Sequence, residues 1–203
     1  MLIKSFEVGV GSANCYIVTD ESSLECAVID PGGDANTILD YLESNRLQCR
    51  YIFLTHGHFD HTGAINELKE ETGAKFCMGE KDTDDKLLRR GLWFNAPRDT
   101  IFCHDGDEFS VGALRFKVLE TPGHSPGGLC FICERALFTG DTLFRDDIGR
   151  TDFPGCSAPD MMRSLKRLYD LEGDYEVYPG HMESTTLERE RRHNYFLKDF
   201  RQD

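Results

Sequence analysis

Tyr51-Ile52-Phe53-Leu54-Thr55-His56-Gly57-His58-Phe59-Asp60-His61 decides how this chain reads, because an apolar strand runs straight into four metal-ligand side chains. Imidazole and carboxylate suit zinc, iron or manganese, and a loop leaving a strand can point alternate side chains at one centre. His56 and His58 are therefore placed to bind one ion together. Asp60 and His61 fall where the chain turns toward a helix predicted over 62–72, so their side chains diverge toward a second ion. Four ligands from so short a loop cannot all close one tetrahedral site, which makes two cations the better reading.

Two cations need more ligands than one loop supplies. The pattern of apolar strand, Gly-containing turn and then His or Asp recurs three times. It runs from Phe116 to Pro122-Gly123-His124, from Ala136 to Gly140-Asp141, and from Tyr175 to Pro179-Gly180-His181. A Gly just before the ligand lets the backbone turn sharply and approach an ion with no Cβ in the way. The candidate ligands are then His56, His58, Asp60, His61, His124, Asp141 and His181. The isolated Asp141 is the natural bridge, since a carboxylate has two oxygens to share between cations. His104, in the polar turn Phe102 to Asp107, and His193, beside a charged run, read as surface residues. Asp107 and Asp174 follow Gly with no apolar strand feeding them and read as turn residues.

The 203 residues, 39% of them hydrophobic, are enough for one substantial core, so a single domain over 1–203 is expected. A net charge of -13 repels nucleic acid and anionic membrane. No apolar stretch approaches the roughly 20 residues of a membrane span, and the first residues lack the apolar core of a signal peptide. The expected location is the cytoplasm. Cysteines at 15, 26, 49, 77, 103, 130, 133 and 156 are scattered through apolar runs, which fits buried free thiols. Cys130 and Cys133 match C-x-x-C, but on a strand they face opposite sides and cannot clamp one ion.

Strands are predicted near 2–8, 13–19, 25–29, 50–54, 75–78, 108–120 with a turn at Gly112, 127–133, 136–139 and 175–178. Helices are predicted near 34–45, 62–72, 81–90, 158–170 and 185–200. Asp34 and Ser157 are the expected N-caps, with Pro159 near the start of its helix.

The H-x-H-x-D-H run, followed by Pro122-Gly123-His124, Gly140-Asp141 and Pro179-Gly180-His181, resembles the metallo-beta-lactamase superfamily over nearly the whole chain. Gly140-Asp141-Thr142-Leu143-Phe144 and Ile148-Gly149-Arg150-Thr151-Asp152-Phe153-Pro154-Gly155 resemble its glyoxalase II-like branch. The resemblance implies an α/β, four-layer αββα sandwich with metals at the strand ends. It also implies that His56, His58 and His124 hold one metal and Asp60, His61 and His181 the other, with Asp141 bridging. Asp30 is left with two readings: a carboxylate orienting the metal loop, as the resemblance suggests, or the start of the Pro31-Gly32-Gly33 turn.

Two divalent ions, zinc first with iron or manganese as alternatives, would supply a bridging hydroxide at neutral pH, because a cation lowers the pKa of bound water from 15.7 to about 7. Asp60 would orient it. A thiol of pKa about 8.5 leaves readily, so a small acyl-thioester such as S-lactoylglutathione is the expected substrate and partner. Glyoxalase II proper grips glutathione with a C-terminal helical domain, whereas only residues 182–203 follow His181 here. Arg145 and Arg150 are the nearest candidates for an anionic substrate group, although Arg150 and Asp152 can equally clasp their own loop. The alternatives on the same fold are a mononuclear iron persulfide dioxygenase using His56, His124 and Asp141, a lactonase, and a non-catalytic metal-binding module. Class B β-lactamase is disfavoured because those enzymes place a Cys in the second ligand set. The sequence leaves the oligomeric state open.

Overall fold

The computed structural model describes residues 1–88 and 93–201. The first sheet contains, in spatial order, β1 (Leu2–Val8), β2 (Ala13–Asp20), β3 (Glu25–Ile29), β4 (Gln48–Phe53), β5 (Lys75–Gly79) and β6 (Ile101–Cys103). It opens with antiparallel pairs and becomes parallel from β3 onward. The second sheet runs from β7 (Glu108–Val111) through β8 (Leu114–Glu120), β9 (Leu129–Cys133), β10 (Ala136–Gly140) and β11 (Glu176–Pro179) to β12 (Thr185–Thr186). Only its β10–β11 pair is parallel. The helices are α1 (Ala35–Ser44), α2 (Ile65–Thr72), α3 (Asp85–Leu88), α4 (Ala158–Tyr169) and α5 (Leu187–His193).

Three hydrophobic cores divide these elements into four layers. Side chains alternate along each strand, so β2 sends Cys15 and Ile17 outward to meet Ile38 and Leu42 of α1 and Ile65 and Leu68 of α2. Tyr16 and Val18 of the same strand point inward, where Phe53, Phe116, Phe131 and Phe138 fill the space between the sheets. On the far side, Leu119, Leu137 and Val177 pack under Met161, Leu165 and Leu168 of α4 and Leu187 of α5. The order helix, sheet, sheet, helix is the αββα sandwich. Cys130 lies in the outer core and Cys133 in the central one, on opposite faces of β9. All eight cysteines are free thiols.

Ser157 caps α4 by accepting the Asp160 N–H, with Pro159 in the first turn. Asp34 does not cap α1. It adopts the left-handed conformation at φ 51°, and its carboxylate accepts the Gly9 N–H at 2.9 Å instead. The helix predicted over 62–72 is preceded by a 3-10 turn, Phe59–His61, and becomes α-helical only at Ile65. That predicted over 81–90 is a 3-10 turn, Glu80–Thr83, followed by α3, and residues 89 and 90 lie outside the described ones. The helix predicted over 185–200 divides into β12, α5 and a 3-10 turn, Tyr195–Phe200. Asn194 causes the break: its carboxamide donates to the carbonyls of Phe144 and Asp147 and accepts the Phe196 N–H, leaving its own backbone extended. β6, three residues long, carried too little pattern to be anticipated. No helix among the described residues is long and apolar enough to cross a membrane.

Candidate metal centre

The loops leaving β4, β8, β10 and β11 meet at one edge of the sandwich. Backbone bonds tie them together, Gly180 N–H to the Gly140 carbonyl at 2.8 Å and Asn14 N–H to the Gly180 carbonyl at 2.7 Å. Asp30, ending β3 at φ 51°, fixes the first loop. Its Oδ1 accepts the Thr55 N–H at 2.7 Å and its Oδ2 the Thr55 hydroxyl at 2.6 Å. Oδ2 also lies 3.1 Å from His61 Nδ1. Both side-chain oxygens are thus committed to donors, which makes Asp30 an orienting carboxylate, while its carbonyl accepts the Gly32 N–H at 2.9 Å and starts the turn through Pro31 as well.

All seven candidate ligands come together. His58 Nδ1 lies 2.9 Å from His124 Nε2, and with His56 they form one buried triad whose donor atoms are within 4.8 Å of each other. Asp60, His61 and His181 form a second, with His61 Nε2 3.2 Å from His181 Nε2 and Asp60 Oδ2 3.2 Å from the latter. Asp141 stands between the triads. Its Oδ2 is 3.3 Å from His124 Nε2 and 3.7 Å from His181 Nε2, and its Oδ1 is 3.6 Å from His61 Nε2.

This donor set suits cations. Buried polar atoms are almost always partnered, yet His56 Nε2, His58 Nε2 and Asp141 Oδ1 have no hydrogen-bond partner. Burial and the neighbouring imidazoles hold His56 far below its usual pKa, and burial brings His58 down to about 3. Both are therefore neutral at pH 7, the form in which imidazole can bind a cation. His61 is also desolvated, but Asp141 and Asp30 outweigh burial and lift it to about 9, while the hydrogen bond that His181 donates to Asp60 raises His181. Asp60, despite burial, is pulled down to about 2 by His181 and His61. The carboxylates favour a proton on His61, which a cation bound there would have to displace. The contacts also set tautomers: His124 Nδ1–H donates to the Arg150 carbonyl at 2.9 Å, which turns its Nε2 lone pair to the cluster.

A cavity of about 390 Å³ opens onto Asp60, His124, Asp141 and His181, and its wall is built from Phe59, Phe144, Ile148 and Phe153. Arg150 lines it too, but its guanidinium is clasped by Asp152 at 2.7 and 2.8 Å and lies 3.8 Å above the Phe153 ring. The internal clasp is what the structure contains. Arg145 pairs with Glu183 and is absent from the described lining. His104 and His193 are exposed, and Asp107 and Asp174 accept backbone N–H groups in turns.

Sequence reasoning missed several contributors. Trp93 packs on His58 with ring centroids 4.4 Å apart. Asp82, fully buried, reaches both metal loops. Neither carries a motif, and Asp82 stands among Glu80, Lys81 and Asp84 in a charged turn that reads as surface.

The sequence profile described as the metallo-beta-lactamase superfamily matches residues 8–181. The hydroxyacylglutathione hydrolase GloC of Haemophilus influenzae is 34% identical over 209 residues, which cover 97% of this chain and 98% of GloC. The crystal structure of the BLEG-1 B3 metallo-beta-lactamase superposes with a TM-score of 0.86 at 31% identity, covering 97% of this chain and 99% of that one. TTHA1623 in a di-iron-bound form superposes at 0.82 with 33% identity, covering 96% and 100%.

Proposed function

Because the chain belongs to the metallo-beta-lactamase superfamily and is a metal-dependent hydrolase, we propose that it hydrolyses small acyl-thioesters at two divalent cations. His56, His58 and His124 would hold one cation and Asp60, His61 and His181 the other, with Asp141 shared. The observation that carries this reading is the pair of triads on either side of Asp141, opening into one cavity. The di-iron form of TTHA1623 supports two metals, and the likeness to GloC supports a thioester. Zinc is the proposed metal, with iron or manganese as alternatives.

Cations there would supply Lewis acidity, lowering the pKa of water and polarising the acyl carbonyl. The protein's own groups do the rest. Phe59, Phe144, Ile148 and Phe153 hold the substrate and exclude water around the reacting bond. Asp60, ionised and at the cavity edge, orients the attacking water through an Oδ lone pair. Water oxygen adds to the carbonyl carbon as it gives up one proton, by way of Asp60, to solvent; the C–S bond breaks, the sulfur leaves as a thiolate, and the acid formed releases its remaining proton to solvent. A leaving group of pKa about 8.5 needs no general acid, and the lining among the described residues offers no Ser, Cys or Lys side chain. Arg150 shapes the wall with Nε and Nη2 clasped by Asp152, so an anionic substrate group there would have to compete with that carboxylate. Eight free thiols fit a reducing, cytoplasmic setting.

Elemental analysis of protein purified without added metal, paired with assays on S-lactoylglutathione, a lactone, a β-lactam and glutathione persulfide with oxygen uptake, tests the reading. Two metals per chain and thioester turnover are expected. Since BLEG-1 is 31% identical, the lack of a Cys in the second triad does not by itself set β-lactams aside. A fully loaded protein that leaves thioesters intact while cleaving the lactam or lactone, or that consumes oxygen on a single iron, would sink it.

A further inference from the structure

We propose that Asp82 is a positioning residue dedicated to the first metal triad. It rests on the reading that the two triads bind cations. Asp82 lies on the 3-10 turn after β5 and is 0% exposed. Its Oδ2 accepts the Gly57 N–H and the Ser125 hydroxyl, both at 2.8 Å, and its Oδ1 accepts the Gly127 N–H at 2.6 Å. Gly57 sits between His56 and His58, and Ser125 directly follows His124. One carboxylate thus ties the loop carrying two imidazoles of the first triad, from the first sheet, to the loop carrying the third, from the second sheet.

Space around Asp82 is as constrained as its bonding. A Cβ on Gly127 would lie 2.8 Å from Asp82 Cγ, and a Cβ on Gly57 would lie 3.1 Å from Asp82 Cβ. The loops close on the carboxylate, so a shift of Asp82 moves ligands on both sheets. All three partners are donors, and an anion with two oxygens satisfies them together. An amide cannot: whichever way Asn is turned, its NH₂ faces a backbone N–H. Asp30 is bonded to Thr55 and His61, and the Thr55 hydroxyl lies 3.1 Å from His56 Nδ1, so Asp30 touches the loop common to both triads and not the His124 loop. The three bonds of Asp82 go to residues beside His56, His58 and His124, whereas Asp30 holds the loop that serves both triads.

The test is stepwise titration of the metal-free protein with Zn²⁺ against a chromophoric chelator, repeated with Co²⁺ to read its ligand-field spectrum. In an Asp60→Ala/His181→Ala background, which keeps the first triad, Asp82→Asn is expected to weaken binding by about 10- to 100-fold and to alter the Co²⁺ spectrum. In a His58→Ala/His124→Ala background, which keeps the second, Asp82→Asn should leave affinity within about threefold, whereas Asp30→Asn should weaken it by a similar 10- to 100-fold. Should Asp82→Asn fail to fold, Ser125→Ala removes one of the three bonds without stranding a charge. It should then weaken the first triad alone, by a smaller factor. Equal losses in both backgrounds, or none in either, overturn the assignment of Asp82 while leaving two-metal binding intact. A wild-type protein that takes up no cation overturns the metal reading and this inference with it.

Discussion

Gly180 stands so close to Asp141 that a Cβ on the glycine would lie 2.3 Å from Oδ1 of the carboxylate and 2.8 Å from Cε1 of His61. The turn that presents His181 is therefore packed against the very group proposed to join the two metals. Gly180→Ala is expected to displace Asp141 and lower metal content at both triads, read by elemental analysis after dialysis. Gly173→Ala is the control. It sits at φ 83° with nothing within 4 Å, so it should cost on the order of 1 kcal/mol of stability through backbone strain and leave metal content unchanged. Full metal retention in Gly180→Ala would show that the turn can yield.

Asp141→Asn should weaken both metals and reduce kcat/KM by at least about 100-fold, the upper range for a merely supporting residue. An amide offers one neutral acceptor and turns a donor toward a cation. His104→Ala, at an exposed turn, should be near neutral in both measurements. Equal metal content and rate in the Asn variant would mean that Asp141 does not bridge.

Thioester hydrolysis should depend weakly on the thiol carrier. The cavity wall is largely apolar, and Arg150, the one guanidinium of the lining among the described residues, is paired with Asp152, so the carboxylates of glutathione would have to compete for it. Lactoyl thioesters of glutathione and of N-acetylcysteamine should therefore differ modestly in kcat/KM. A fall of more than about 3 orders of magnitude on truncation, roughly 4 kcal/mol of transition-state binding, would reveal a dedicated glutathione site.

Burial lifts the Asp82 carboxyl to about 6 against the pull of its three hydrogen bonds. The folded-state pKa lies above the unfolded one, so the associated stability is present below about pH 4 and is lost as pH rises through about 6. In the metal-free protein, the wild type should lose as much as ~3 kcal/mol relative to Asp82→Asn across that window. Denaturant titrations of both proteins at pH 4.5 and 7.5 check the sign. A difference that is flat, or that grows with pH, would show that the hydrogen bonds outweigh desolvation.

By itself the sequence determined the type of element in most segments, because burial is periodic: β2 alternates between two cores, and α4 places Met161, Leu165 and Leu168 on one face. The seven candidate ligands were legible for a similar local reason, each standing where an apolar strand meets a glycine turn. The resemblance carried the layer order. Tertiary structure alone decided what depends on atoms distant along the chain. Asp34 looked like a cap but bonds Gly9, and the terminal helix divides because Asn194 is recruited by carbonyls at Phe144 and Asp147. The side chain of Arg150 pairs with Asp152 while its carbonyl orients His124. Asp82, silent in any local pattern, joins Gly57 to Gly127 across the two sheets. Local periodicity reports which face is buried. Where a buried polar group finds its partner is settled only when the loops of both sheets have closed upon one another.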